Sequence, residues 1–330
     1  MGLFSYIAKR IGLYTIVFFT ALTIAWIIPR LLGNPIAIII ARLGPGQAGA
    51  AVAASYFMQA FGLNKPLYEQ YILFLMGLLH GDLGISVWLL GRPVSEIVFK
   101  ALIFDLILMV PAIIVSWLIG NTLGALAARY RKLDKILLPI LYILTATPYF
   151  LLAMLLQWVL TVQYPVFPTV IKSTVFEQLL ENPSLNNIAQ FLYAWFLPFL
   201  SLVLVSMGGW ASGMRSLMIY ELESNYSRYL EVLGFSERRI AGYAFRYAIH
   251  PQITGLGIQL GTLITGAIAV EYIFNYPGLG YFMFNAIINN DPFLLQGCIL
   301  VMILMVIAAN FIVDIIRAVI DPRIRIGVAR

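Results

Sequence analysis

The sequence contains little charge and almost no cysteine. Only 11% of its 330 residues are Asp, Glu, Lys or Arg, although a soluble domain carries roughly a quarter. Hydrophobic residues make up 61% of the chain. So few charged side chains cannot cover the surface of a water-soluble globule, and the composition therefore predicts a membrane protein. The one cysteine, Cys298, can form no disulfide within the chain.

The sequence also lacks the motifs of several kinds of site. It contains no G-x-x-x-x-G-K-[ST] loop, so it has no usual cradle for the phosphates of ATP. It has no G-x-S-x-G elbow and no H-E-x-x-H pair, and its two histidines, His80 and His250, are far apart in the sequence. We therefore expect no catalytic residue, no bound cofactor and no metal site in this chain.

Long apolar runs are what the sequence has instead. Six of them approach or exceed the roughly 20 residues that a membrane-spanning helix needs. The pattern therefore predicts an all-α membrane protein with six transmembrane helices. The runs lie at about 11–28, 101–128, 136–163, 191–218, 252–274 and 293–316.

The runs also suggest a division of the chain. The N-terminal region and the first helix occupy residues 1–32, and a mixed, Gly- and Pro-containing stretch at 33–100 is predicted to be an extracellular segment. Residues 101–325 would form the core with helices 2–6, including a cytoplasmic loop at about 219–250. Residues 326–330 are left as a short tail.

The distribution of basic residues orients the predicted helices. If the six helices alternate in direction, most of the 21 Lys and Arg residues fall on the same side as the N-terminus. Lys and Arg accumulate on the cytoplasmic side of membrane proteins. We therefore expect a multi-pass protein of the plasma or inner membrane, surrounded by lipids, with both termini in the cytoplasm. The net charge of +6 follows from this bias and requires no nucleic-acid partner.

The loop between the predicted fourth and fifth helices is rich in charge, and its residues 224–251 are called the polar segment below. Gly234 can close one helix in the left-handed conformation, while Ser236 can cap the next and Glu237 suits its positive end. The pattern predicts two short amphipathic helices that dock into a groove of a partner; a solvated loop is the alternative. The apolar residues at helical spacing are Tyr226, Leu230 and Leu233, then Ile240, Tyr243 or Ala244, and Tyr247.

The stretch "YSRYLEVLGFSERRI" within the polar segment resembles the cytoplasmic coupling loop, the so-called EAA loop, of ABC-importer permeases of the dipeptide, oligopeptide and nickel family. Four other stretches resemble the same family in order and spacing. They are "GLNKPLYEQYILFLMGLLHGDLGIS", "AVEYIFNYPGLGYFMFNAI", "DPFLLQG" and "DPRIR".

This resemblance implies a type I ABC importer permease fold and a set of partners. A homologous second permease subunit would complete a heterodimer, an extracellular substrate-binding protein would deliver the cargo, and two cytoplasmic ATP-binding subunits would bind ATP and Mg and grip the coupling helix. The chain itself would not be an enzyme. The residues expected to dock on an ATP-binding subunit are Glu231, Gly234, Ser236, Glu237, Arg238 and Arg239.

The resemblance also implies an outer gate or scoop near "FNYPGLG", residues 274–280, called the outer turn below. Pro277 and Gly278 are typical corners of a turn, and a turn that only caps the bundle is the alternative. The gate candidates are Glu271, Tyr276, Pro277, Gly278 and Gly280.

Two features inside the predicted helices allow more than one interpretation. Asp105 is a candidate for contact with the substrate, because ionisable residues in spans are often functional, but it would also suit the positive end of the second helix. Gly257 and Gly261 form a G-x-x-x-G pair, which favours close helix packing over contact with substrate.

The sequence leaves the cargo open. Within the resembled family we expect oligopeptides or dipeptides, with oligosaccharides as the nearest alternative and nickel as a third. A secondary transporter is the alternative from another class, since six spans suit it, but it would show inverted repeats and a charged ion site within the membrane. Neither is evident in this sequence.

Overall fold

A computed structural model of the chain describes residues 3–31, 64–89 and 91–320, together with residues 55 and 58. In this part of the chain the regular structure is helical, apart from an isolated antiparallel bridge between Ile85 and Pro93. The all-α class is therefore confirmed. The predicted tail and much of the predicted extracellular segment lie outside the described residues.

Every predicted apolar run falls on helices of the described part, but one run is divided between two helices and several shorter helices lie outside the runs. A π-helical stretch, Trp158–Gln163, continues the α-helix Tyr149–Gln157. In chain order the α-helices are α1 (Leu3–Leu31), α2 (Leu67–Leu79), α3 (Val94–Arg129), α4 (Arg131–Ala146), α5 (Tyr149–Gln157), α6 (Ser173–Glu181), α7 (Leu185–Leu222), α8 (Asn225–Val232), α9 (Glu237–Phe274), α10 (Leu279–Ile288) and α11 (Pro292–Ile320).

Four of these helices, α1, α3, α7 and α11, are each long and apolar enough to cross a membrane. Two more candidate spans are bent. The α4–α5 pair passes the same criteria together with a bend of 103°, and so do the two halves of α9 with a bend of 51°. Length and composition thus support four to six spans, and the exact six-span topology stays a prediction.

The chain divides into two compact units. One comprises Met1–Asp105 with Pro277–Phe311, and the other comprises Leu106–Tyr276 with Ile312–Arg330. Helices α3 and α11 contribute residues to both. The polar segment belongs to the second unit.

In the first unit, α1 contacts α2 through the hydroxyl groups of Thr23 and Tyr71, which share a hydrogen bond of 2.7 Å. Helix α11 lies close to the start of α3. A Cβ atom added at Gly297 would stand 2.4 Å from a methyl carbon of Val94, so only glycine permits this approach. Small residues allow such close helix packing in membranes.

In the second unit, α7 is the central helix. It contacts α4, α5, α8 and α9, and glycines bring α3 close as well. A Cβ at Gly124 of α3 would lie 2.3 Å from the carbonyl oxygen of Ala211, and one at Gly208 of α7 would lie 2.7 Å from the hydroxyl oxygen of Thr145. Backbone contact at small residues therefore holds the core of this unit.

The predicted third span is broken between α4 and α5. Thr147 and Pro148 are extended there, and the N–H of Thr147 donates to the carbonyl of Ile143 at 3.0 Å as α4 ends. Proline has no N–H and disfavours a helical conformation in the residue before it, which ends a helix at this position. The prediction of one continuous helix over 136–163 is therefore wrong.

The predicted second helix of the polar segment is also wrong in extent. It is not a short separate helix, because α9 continues from Glu237 through Pro251 to Phe274 and its 51° bend lies beyond Pro251, between Gly257 and Gln259. The polar segment thus consists of the short helix α8, a turn and the first turns of a span. The connection between α7 and α9 spans only residues 223–236.

Candidate functional site

The turn between α8 and α9 has the geometry of a Schellman motif. Gly234 adopts a left-handed φ of 81°. Its N–H donates to the carbonyl of Glu231 at 2.9 Å, and the N–H of Phe235 donates to the carbonyl of Leu230 at 3.1 Å. These two bonds satisfy the last carbonyls of α8. The prediction that Gly234 closes the first helix is confirmed by its conformation.

The start of α8 is tied to the end of α7. The hydroxyls of Ser224 and Ser227 both donate to the carbonyl of Glu221, at 2.6 and 2.7 Å. Ser224 also stands at the N-cap of α8, where its side chain accepts from the N–H of Ser227. The short helix is therefore fixed at both ends by local hydrogen bonds.

The inner face of the polar segment packs on its own chain. Ala244 and Ala248 of α9 are buried against Met214 and Met218 of α7. Ile240 of the same helix is also buried, as the helical spacing predicts.

The tyrosines of the predicted stripe lie further out. The rings of Tyr226 and Tyr247 are 5.3 Å apart, so α8 rests on α9 through an aromatic contact. Burial raises the pKa of the Tyr226 hydroxyl above its ordinary value. Of the two residues that could share the Ile240 face, Ala244 is buried whereas Tyr243 is exposed. Tyr226 therefore faces the rest of the chain and is not a free docking residue.

Most residues of the polar segment between Tyr229 and Arg239 are exposed. Val232 is 85% exposed, Tyr229 64% and Leu233 54%, which leaves three apolar side chains on one side of α8. They occupy positions i, i+3 and i+4, and the predicted stripe of Tyr226, Leu230 and Leu233 contains only the last of them. The six predicted docking residues are also exposed: Glu231, Gly234, Ser236, Glu237, Arg238 and Arg239.

The outer turn begins where α9 ends. Asn275 takes the left-handed conformation there, with φ of 53°, and closes the helix. The N–H of Tyr276 donates to the carbonyl of Glu271 at 2.8 Å, which completes a second Schellman motif. Gly278 is extended, with φ of −85°, and caps α10. Pro277 follows the helix end, where proline is common.

The gate candidates lie mostly inside the protein. Glu271, Tyr276, Gly278 and Gly280 are buried, and Pro277 is half-buried. Their predicted contact with a substrate-binding protein stays a prediction.

Asp105 has a structural partner in the first unit. Its Oδ1 accepts from the N–H of Leu279 at 3.0 Å, at the first residue of α10. A carboxylate is favourable at the positive end of a helix. The helix concerned is α10 and not the one that carries Asp105, because α3 begins at Val94 and Asp105 lies three turns inside it. Its contact with substrate stays a prediction.

Asp291 is a buried carboxylate that the sequence reasoning did not identify. Its Oδ2 accepts from the Ser86 hydroxyl at 2.5 Å and from the Trp88 N–H at 2.9 Å. Its Oδ1 accepts from the N–H of Leu294 at 3.0 Å and so caps α11. The sequence does contain a signal for this role, because Asp immediately before a proline, here Pro292, is typical of a helix start. This group joins the loop after α2 to the last helix.

A cavity of about 630 Å³ opens beside the broken span in the second unit. Pro148, Tyr149 and Phe150 line it from the break, and Gly261 and Gly266 line it from α9. A Cβ at Gly261 would meet nothing within 4 Å. The close packing predicted for the G-x-x-x-G pair is therefore not made at Gly261 within the described residues.

The described residues contain no cluster of three or more His, Cys, Asp or Glu side chains that could hold a metal ion.

Comparison with known proteins adds a family and several relatives. The profile of a family described as "Binding-protein-dependent transport system inner membrane component" matches residues 120–326. The oligopeptide transport system permease protein AppB of Bacillus subtilis (strain 168) is 31% identical over 309 residues, which cover 90% of this chain and 96% of the relative.

Two further relatives match over nearly their whole length. The dipeptide transport system permease protein DppB of Escherichia coli (strain K12) is 30% identical, covering 97% of this chain and 98% of the relative. The glutathione transport system permease protein GsiC of Escherichia coli O6:H1 (strain CFT073) is 29% identical, covering 97% and 99%.

Proposed function

Since the chain belongs to the family of binding-protein-dependent transport system inner membrane components, we propose that it forms half of an ATP-driven translocation pathway for oligopeptides or dipeptides. It is the permease component of an ABC importer, with the type I permease fold, and a multi-pass protein of the inner membrane. A homologous second permease would supply the other half of the pathway. An extracellular binding protein would deliver the cargo.

The exposed face of α8 is the observation that carries the proposal. Val232 and Leu233 leave apolar surface open on α8, and Arg238 and Arg239 are exposed in the first turn of α9. A short helix held at both ends presents this surface without a large loss of conformational entropy on binding. An ATP-binding subunit that grips the helix would transmit its closure to α7 and α9, because α8 is hydrogen-bonded to the end of α7 and the Schellman turn leads directly into α9.

The proposed cargo is supported by the names of the relatives. The three relatives described above are named for oligopeptide, dipeptide and glutathione transport. Peptides are therefore favoured over oligosaccharides and nickel. ATP and Mg would be bound by the two partner subunits, and both termini of this chain would lie in the cytoplasm.

The proposal is tested by reconstituting the purified importer, with its binding protein, in proteoliposomes. Uptake of a radiolabelled tripeptide is measured with ATP, with a non-hydrolysable ATP analogue, and with an ion gradient alone. We expect uptake with ATP only, and competition by unlabelled peptide but not by an oligosaccharide or Ni²⁺. Uptake driven by the ion gradient in the absence of ATP would replace the proposal with a secondary transporter.

A further inference from the structure

The cavity beside the broken span has the size of a ligand site. Its volume of about 630 Å³ lies within the roughly 300–1,000 Å³ that is usual for small-molecule pockets. All of its lining residues belong to the second unit, from the break between α4 and α5 and from the middle of α9. It therefore lies within one compact part of the chain.

The break itself argues against lipid as the occupant. Where a helix ends, its last carbonyls and the first N–H groups of the next helix have no partner inside the helix. Hydrocarbon cannot satisfy such groups, so broken helices at membrane depth lie against protein or against a water-filled cavity. Thr147 and Pro148 form such a break, and Pro148 lines the cavity. We therefore expect the cavity to hold water, or an uncharged group that belongs to a polar molecule.

The lining has no charged side chain. Tyr149 and Phe150 supply aromatic surface, Gly261 and Gly266 supply backbone, and Thr265 supplies a hydroxyl. That hydroxyl donates to the carbonyl of Gly261 at 3.0 Å and keeps its oxygen as an acceptor. A charged group would lose part of its hydration here and find no counter-charge, whereas an apolar side chain would gain by leaving water.

We propose that this cavity receives an uncharged side chain of the transported peptide during its passage. The inference rests on the proposed function, because it specifies which part of the transported peptide contacts this chain in the proposed pathway. Uncharged peptide side chains such as Phe and Leu fit the lining, and a Glu side chain does not.

Tyr149 forms the fixed wall of the cavity. Its hydroxyl shares a hydrogen bond of 2.9 Å with that of Ser206 on α7. Its ring lies so close to α9 that a Cβ at Gly266 would stand 2.4 Å from ring carbon Cδ2. The lining on α9 is open at Gly261, where an added Cβ meets nothing within 4 Å. The cavity can therefore be filled from Gly261 without disturbing Tyr149.

The first test fills the cavity with Gly261→Leu in the complete importer. Uptake of Ala-Phe-Ala, Ala-Leu-Ala and Ala-Ala-Ala into proteoliposomes is compared with uptake by the wild type. Each value is the ratio of variant to wild type, so preferences of the binding protein cancel. We expect the ratio for Ala-Phe-Ala to fall about tenfold below that for Ala-Ala-Ala, the scale at which apolar pockets discriminate. Gly12→Leu, on the exposed side of α1 with nothing within 4 Å, is the matched control and should leave all three ratios equal.

Equal ratios for all three peptides in Gly261→Leu would overturn the inference while leaving peptide import intact. Failure of the wild type to import any of the three peptides would instead refute the proposed function. Loss of the second permease on purification of Gly261→Leu would show that the cavity is an interface between permeases, and would also overturn the inference.

The second test asks whether water and peptide reach the cavity. Thr265, which is exposed, is changed to cysteine in a Cys298→Ala background, so that this chain carries a single thiol. We expect a membrane-impermeant maleimide to label it in proteoliposomes in at least one nucleotide state, since thiolates react only where water is present. Ala-Phe-Ala should slow labelling several-fold more than Ala-Glu-Ala. An unlabelled thiol in every nucleotide state indicates lipid or a neighbouring helix as the occupant, and labelling indifferent to peptide contradicts the inference as well.

Discussion

The guanidinium of Arg215, near the end of α7, forms a two-point ion pair with Asp134 in the first turns of α4. The Nε–Oδ1 distance is 2.5 Å and the Nη2–Oδ2 distance is 2.6 Å. The two side chains are only 20% and 23% exposed. Parallel hydrogen bonds of this kind are among the strongest between side chains. The pair fixes α4 to α7 within the second unit.

We predict that Arg215→Ala destabilises the detergent-solubilised protein by about 1–3 kcal/mol, because the Asp134 carboxylate is left partly buried without its donor. Thermal unfolding of the purified chain measures the loss. The control is Lys100→Ala, which breaks the exposed Lys100–Glu96 pair at 2.8 Å and should cost less than about 1 kcal/mol. Equal effects from the two substitutions would show that the Arg215 pair has no special role.

The turn after α8 gives a second matched pair of substitutions. Gly234→Ala places a Cβ on a residue with φ of 81° and should cost roughly 1–2 kcal/mol. Gly242→Ala lies inside α9, where a Cβ meets nothing within 4 Å, and should be neutral or stabilise by about 0.5–1 kcal/mol. Melting temperatures of the two variants are compared with that of the wild type. A neutral Gly234→Ala would mean that the turn relaxes freely.

The contact of Tyr149 with α9 predicts a large effect at Gly266. Gly266→Ala drives a Cβ into the ring and should destabilise by about 1–3 kcal/mol. Gly255→Ala, in the same helix, meets Trp210 only at an ordinary 3.5 Å and should not destabilise. Adding Tyr149→Ala to Gly266→Ala should recover part of the loss, and a double-mutant cycle on thermal stability measures this coupling. Additive effects would contradict the contact.

Asp291 is expected to be the most sensitive carboxylate of the first unit. Asp291→Ala removes the acceptor of three hydrogen bonds and leaves buried donors at Ser86, Trp88 and Leu294. The cost should reach at least about 3 kcal/mol and appear as low yield and a lowered melting temperature. Asp82→Ala removes an exposed acceptor of one bond, to the Gly84 N–H at 2.8 Å, and should cost about 1 kcal/mol or less. Similar yields and melting temperatures for both variants would refute this ranking.

Much of the fold could be predicted from the sequence because apolar length is a strong signal in membranes. The runs at 191–218 and 293–316 fall inside α7 and α11. The break at Thr147 and Pro148 could not be found this way, since hydropathy averaged over a run does not register one proline. The continuity of α9 through Pro251 was missed for the related reason that a span tolerates a proline when its surroundings satisfy the backbone.

The site could be predicted in part. Gly234 was identified because a left-handed helix end has a residue signature. The inner face of α8 could not be chosen from periodicity alone, since Tyr226 with Leu230 and Tyr229 with Leu233 both recur four residues apart, on different faces of the helix. Tertiary contact decides between them, because the Tyr226 ring rests on Tyr247. The left-handed conformation of Asn275 in the outer turn was not predicted, because asparagine adopts this conformation less often than glycine.

The central claim is that the exposed face of α8 and the first turn of α9 bind an ATP-binding subunit. The most direct measurement is co-purification of that subunit with tagged wild type and with Arg238→Glu/Arg239→Glu. The matched control is Arg131→Glu/Lys132→Glu, which makes the same charge change at two adjacent exposed residues of α4.

We predict that Arg238→Glu/Arg239→Glu lowers the co-purified ATP-binding subunit roughly tenfold or more, since charge reversal at an interface costs several kcal/mol. The Arg131→Glu/Lys132→Glu protein should retain the subunit and its peptide-stimulated ATP hydrolysis. Retention of the subunit at wild-type stoichiometry by Arg238→Glu/Arg239→Glu would contradict the account.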